Sequence, residues 1–149
     1  MPRLTPADVA CWVLKTSRPP TEIPPGWRPD TERELTRCVR PSYRLALMAA
    51  GQPCLLWLSG RDRPGVHAVG ILAGPPESDD SGPVVPVRLT LLAEPVDRAE
   101  LLADPVARGA EVLRMPAGSN PSWLSRPQLG AVLDRLDRDR AGVLGAWLP

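Results

Sequence analysis

The run Cys54-Leu55-Leu56-Trp57-Leu58 constrains this chain more than any other stretch. It is too short for a typical helix, and turn residues bound it on both sides. A continuous apolar run of this length predicts a strand buried on both faces. Ser59 and Gly60 follow, then the turn-rich Arg61-Asp62-Arg63-Pro64-Gly65, then a second apolar run from Val66 to Ala73. Two apolar runs around such a turn predict a β-hairpin over residues 52–73. Alternation in its second strand puts Val66, Ala68, Gly70 and Leu72 on one face, and His67, Val69 and Ile71 on the other. A hairpin alone is marginal in water, so the rest of the chain has to cover it.

What covers it is limited by the prolines. There are 20 in 149 residues, and they punctuate loops and keep helices short. A chain of this length fits one domain and buries roughly two-thirds of its surface. We therefore expect a single domain over 1–149, with 1–6 and 140–149 as fraying tails. Hydrophobic content of 43% is ordinary for a globular protein, and the net charge of +1 gives no global basic field. The cations are almost all Arg, with Lys15 the only Lys. Such a bias often follows high-GC coding rather than function.

Several chemistries find no support. Cys11, Cys38 and Cys54 are an odd set without CxxC spacing, which argues against a disulfide framework and a Cys-based zinc site. His67 is the only His, so a His-rich metal site is not expected either. There is no P-loop, GxGxxG or GxSxG, and Asp79-Asp80 reads as a solvated loop pair. No stretch reaches the roughly 18 apolar residues of a membrane span. The start, MPRLTPADVA, has no signal-peptide core. The expectation is a cytoplasmic, non-enzymatic protein with no cofactor, no metal and no membrane partner.

In chain order, Val9 to Thr16 reads as a strand entering the core and stopping at Ser17-Arg18-Pro19-Pro20. Residues 17–29 form a Pro-rich loop carrying Trp27. A Trp there is either a lid packed on the core or part of a binding surface. Asp30 to Val39 is polar and helix-compatible. Ser42 to Ala50 predicts a clearer helix, opened by Pro41 and closed by Gly51. Gly74 to Gly82 is a polar loop. Pro83 to Leu92 predicts a strand that Pro86 either places at an edge or breaks in two. A short helix follows over Arg98 to Ala103, with Asp97 as N-cap and Glu100 three residues on. Ala110 to Met115 reads as a short strand, and Pro116 to Ser122 as an irregular loop. The last helix is predicted over Arg126 to Asp139. Ser125 caps it, Gln128 completes a capping box, and Leu129, Val132, Leu133 and Leu136 form its apolar face.

The order of these pieces resembles the EVE domain family, a branch of the PUA-like β-barrels related to YTH domains. CWVLKTS resembles the opening EVE strand, and Trp27 resembles the Trp that YTH domains place after theirs. VRPSYRLALMAAGQ resembles the EVE helix with its Gly exit, and LLWLSGRDRPGVHAVG its central strand pair. RMPAGSNPSWLSRPQLGAVL resembles a late segment leading into the terminal helix. The resemblance covers roughly residues 10–136 and lies in order and spacing rather than in one motif. The family's Glu-Pro is here Arg18-Pro19, and Gly74 to Gly82 has no aromatic where YTH domains draw a second cage Trp.

This resemblance implies an α+β, PUA-like open β-barrel of about five or six strands with flanking short helices. It also implies a non-catalytic reader of modified bases in DNA or RNA. Such a pocket needs a wall for the flipped base and polar groups for its edge. The base-contact candidates are Lys15, Thr16, Ser17, Trp27, Ser59, Asn120 and Trp123. The phosphate-contact candidates are Arg18, Arg28 and Arg40. Each has a plainer reading. Trp27 can be a lid, Thr16 and Ser17 strand-end caps, Lys15 a solvated side chain, and Asn120 a turn starter. Trp123 can staple the last helix, and Arg40 can be simply solvated. Trp12 and Trp57 read as core, and His67 as structural. The competing function is a small-ligand or protein-interaction module on the same barrel, without nucleic acid. A nucleic-acid-processing enzyme ranks last.

Overall fold

The computed structural model describes residues 3–136. Strand β1 (Cys11–Thr16) runs parallel to β3 (Pro53–Leu58), with Trp12 opposite Cys54 and Thr16 opposite Leu58. The predicted hairpin is present: β3 turns back into β4 (Gly65–Leu72), antiparallel to it. The long β6 (Gly82–Asp97) pairs antiparallel with β4, and β2 (Glu32–Cys38) pairs antiparallel with β6. Strand β7 (Ser122–Leu124) lies antiparallel on the other side of β1, and β5 (Glu77–Asp79) makes a tight hairpin with the start of β6. The order is β2-β6-β4-β3-β1-β7, with β5 beside β6. This is an α+β fold on a mixed, unclosed seven-stranded sheet. Seven strands exceed the expected five or six; the shortest are β5 and β7, each three residues long.

The apolar run behaves as its composition requires. Cys54 to Leu58 are all buried. Leu55 and Trp57 face one core cluster, while Cys54 and Leu56 face the other. The first cluster is roofed by α1 (Arg98–Ala103), α2 (Glu111–Arg114) and α3 (Arg126–Leu133), through Leu101, Val112, Leu129 and Val132. The second lies inside the curl of the sheet, where Trp12, Leu14, Val85, Val87 and Leu89 meet Trp27 and Met48. Trp12 and Trp57 are core residues, as expected. The indole N–H of Trp12 donates to Gln52 Oε1 at 2.8 Å.

Tertiary context overrides local pattern at several points. The helix-compatible Asp30 to Val39 forms strand β2 instead. Pairing with β6 satisfies its backbone, Leu35 and Val39 pack inward, and Glu34 bonds Arg88 across the rung at 2.9 Å. The helix expected over Ser42 to Ala50 shrinks to a 3-10 turn, Tyr43–Leu47. Gln52 accounts for this: its Oε1 accepts the Ala49 N–H and its Nε2 donates to the Leu47 carbonyl. Gly51, at φ 87°, sends its N–H to the Leu72 carbonyl, so it opens the turn into β3 rather than capping a helix.

Ala110 to Met115 is helical, not extended. The adjacent Val112 and Leu113 are both buried, and Met115 N–H donates to the Glu111 carbonyl at 2.7 Å. The hairpin faces also need one correction. Two residues of β3, Leu56 and Trp57, span three of β4. His67 is the extra residue, so Val66 turns to the helical side with Val69, while Ala68 and Leu72 stay inside the curl. His67 Nε2 is 2.7 Å from the Arg63 carbonyl, a structural role.

Pro86 neither breaks β6 nor marks an edge. Its carbonyl accepts the Ala73 N–H at 2.8 Å. Its ring nitrogen faces the same side, opposite Ala73 just past the end of β4, so only the one reciprocal bond at the end of that ladder is forgone, while the pairing with Thr36 of β2 continues. Asp97 precedes α1 without a side-chain cap bond, so the Asp97–Glu100 capping box is not formed. The Ser125–Gln128 box is formed, at 2.9 and 3.4 Å. The last helix, predicted to reach Asp139, ends at Leu133, and residues 134–136 form a turn and a bend; residues 137–139 and the tail over 140–149 lie outside the described residues.

Candidate ligand-binding pocket

Parallel pairing puts the C-terminal ends of β1 and β3 side by side. Ser59, one residue past β3, donates its N–H to the Thr16 carbonyl at 2.8 Å. Because β7 is antiparallel to β1, the loop before it reaches the same end of the sheet. Lys15 and Thr16 from β1, Ser17 just past it, Ser59, Arg40 from beyond β2, and Pro116 to Gly118 with Asn120 line one open pocket of about 260 Å³.

Asn120 fixes its shape. Its Oδ1 accepts the Lys15 N–H at 3.1 Å, its Nδ2 donates to the Cys38 carbonyl at 3.2 Å, and its own carbonyl accepts the Arg40 N–H at 2.8 Å. One residue thus bridges β1 and the end of β2, which are not paired as strands. Its amide already holds two backbone partners, and it carries the turn-starting Asn-Pro step too. Thr16 Oγ1 accepts the Arg18 N–H at 3.1 Å, which ends the strand locally. Thr16 is buried and Ser17 exposed, so Ser17 presents the freer hydroxyl.

Lys15 is half-buried, and its Nζ donates to the Pro116 carbonyl at 3.3 Å. Burial lowers its pKa; the Glu111 carboxylate opposes that shift, while Arg40 and Arg44 add to it. Beneath the pocket, Arg44 grips Glu111 through two bonds of 2.7 and 2.8 Å and reaches the Pro121 carbonyl at 2.9 Å. Ser122 Oγ donates to the same carboxylate at 2.8 Å. The Arg44 hydrogen bonds hold the Glu111 carboxyl below its ordinary range.

The structure does not bring the two candidate walls here. Trp27 is 2% exposed, packs in the inner core, and donates its indole N–H to the Thr31 carbonyl at 2.9 Å. Trp123 sits opposite Trp12 in β7 and packs against that same core. Arg18 and Arg28 are exposed and outside the lining. The sequence reading also missed Pro116, Ala117 and Gly118, although they belong to the irregular loop it had marked. Outside the lining, Arg37 is half-buried on the inward side of β2, flanked there by Leu35 and Val39. Arg37 Nε is buried with no hydrogen-bond partner among the described residues, and burial lowers the pKa of this side chain.

No protein-family model matches the chain, and no curated protein matches it. Solved structures share its fold. A hypothetical protein from Leishmania major is 14% identical, with a TM-score of 0.66 over 85% of this chain and 94% of its own. The NMR structure of a Rhodopseudomonas palustris protein is 16% identical, with a TM-score of 0.63 over 85% and 92%. Human THYN1, in complex with DNA containing 5-methylcytosine, is 14% identical with a TM-score of 0.48, over 85% and 98%. Among the described residues, no helix is long and apolar enough to cross a membrane. No group of three or more His, Cys, Asp or Glu side chains assembles among them either.

Proposed function

We propose that this chain is an EVE-type, PUA-like domain that reads a modified base in DNA or RNA without performing chemistry on it. One observation carries the reading: Lys15, Thr16, Ser17, Ser59 and Asn120, all base-contact candidates, line one pocket together with Arg40. The pocket is open at the rim of the sheet, so a base swung out of a strand can reach these groups. With both Trp candidates in the core, recognition rests on hydrogen bonds to the base edge rather than on aromatic stacking. Ser17, Ser59 and Lys15 supply those bonds, and Asn120 holds the frame.

The buried Trp27 favours a second reading, a small-ligand module without nucleic acid. Titrating the protein with matched oligonucleotides bearing cytosine, 5-methylcytosine or 5-hydroxymethylcytosine separates the two. A reader prefers one modified strand by about tenfold or more, roughly 1.4 kcal/mol, and loses that preference in Ser59→Val. Modification-blind binding, or none, sinks the proposal.

A further inference from the structure

The pocket has a charge character that base-edge reading alone does not require. Its two ionisable lining residues, Lys15 and Arg40, are both cations. Neither forms an ion pair among the described residues. Lys15 Nζ has the Pro116 carbonyl at 3.3 Å as its hydrogen-bond partner, and the Arg40 side chain is exposed. The nearest acid that acts on Lys15 is Glu111, and that carboxylate is already committed to Arg44 at 2.7 Å and to Ser122 at 2.8 Å. The hydroxyls of Ser17 and Ser59 add neutral donors to the same pocket. No acidic side chain lines the pocket to offset the two cations. Donors and cations without an acid match an oxygen-rich anion.

We propose that the ligand of this pocket presents an anionic oxygen group, a carboxylate or a phosphate, to Lys15 and Arg40. This deepens the reader proposal and rests on it. The group has two sources in a nucleic acid: a carboxylate carried by the base, or a phosphate at a strand terminus. Internal backbone phosphates are common to every strand and so do not produce selectivity.

Fluorescence polarisation with four probes tests it. One oligonucleotide carries an internal 5-carboxycytosine and no terminal phosphate. A second of the same sequence carries 5-methylcytosine, a third is unmodified but 5′-phosphorylated, and the fourth probe is inorganic phosphate as competitor. The expected result is about tenfold tighter binding of the carboxylated or the terminally phosphorylated strand than of the methylated one. Which of the two wins identifies the source. Lys15→Met and Arg40→Gln each bring that ratio towards one, with thermal unfolding followed to verify folding. Arg40 is exposed, so its variant reports even if Lys15→Met fails to fold.

Equal affinity for the carboxylated and methylated strands, with the unmodified phosphorylated strand about tenfold weaker, overturns the anion proposal and leaves the reader proposal standing. Equal affinity for all three strands is blind to the modification and overturns both. Inorganic phosphate that raises the melting temperature while no oligonucleotide binds supports the anion site and overturns the reader. No effect from any probe overturns both.

Discussion

The side-chain carbonyl of Asn120 accepts the backbone N–H of Lys15 at 3.1 Å, across 105 residues of chain. With the bond to Cys38, it joins β1 to the end of β2 and shapes the pocket between them. Asn120→Ala leaves a donor and an acceptor without partners. We expect a loss of about 1–3 kcal/mol by urea unfolding. Asn120→Asp keeps the acceptor for Lys15 but not the donor to Cys38, and its loss is smaller. Unchanged stability in both variants would show that Asn120 does not hold the frame.

The Arg44–Glu111 pair predicts a pH response. The side chains are only 12% and 14% exposed, and removing one partner strands the other. Glu111→Gln should therefore cost about 3 kcal/mol, the low end for breaking a buried ion pair from one side. The folded-state pKa of Glu111 lies below its ordinary value of 4.5. Its stabilisation is therefore complete above that value and is lost as pH falls through the lower, folded-state pKa. Melting curves of wild type and Glu111→Gln should converge as pH drops below about 4.5. A gap that stays constant down to acid unfolding would contradict the assignment.

Trp27→Ala removes a buried indole. A loss of about 3–5 kcal/mol is expected, the usual cost of truncating a core aromatic. Trp27→Phe loses the bond to Thr31 and costs less. Ligand affinity per folded molecule stays at the wild-type level in Trp27→Phe. A large affinity loss with little change in stability would restore Trp27 as a wall.

Thiol chemistry separates the three cysteines. Cys38 is exposed, whereas Cys11 and Cys54 are fully buried. Burial pushes both of their thiols well up, with Cys54 adding to the shift at Cys11. Mass spectrometry after maleimide treatment should find one adduct on the native protein, at Cys38, and three after denaturation. Rapid native labelling of Cys54 would argue against the two-sided burial of β3.

Gly70 sits where β4 meets the backbone of β6. A Cβ there would overlap the Arg88 carbonyl, which is backbone and cannot swing aside. Gly70→Ala should cost at least about 1–3 kcal/mol, as overpacking does, by chemical denaturation. A neutral result would mean that the two strands separate more easily than their register implies.

Features written in contiguous residues were legible. The apolar run over 54–58 gave a doubly buried strand because no polar residue in it can face water. The turn around Pro64-Gly65 gave the hairpin, and Ser125-x-x-Gln128 gave the last helix start through short-range hydrogen bonds. Patterns that depend on a distant partner were misread. β2 is extended because β6 offers it a ladder, and residues 42–50 fail to continue as a helix because Gln52 captures their backbone groups. Lys15 to Ser17, Ser59 and Asn120 were readable as candidates one by one.

Only the tertiary structure decided that these residues form one pocket, and that Trp27 and Trp123 stay out of it. The physical reason is the pairing. β1 lies parallel to β3 and antiparallel to β7, which gathers three chain ends at one rim of the sheet. Strand direction and neighbour order are set by long-range ladders, and no local composition encodes them. The sequence by itself determined that Cys54 to Leu58 would be a buried strand. The fold determined that Ser59, the residue leaving that strand, would stand beside Thr16 at the pocket.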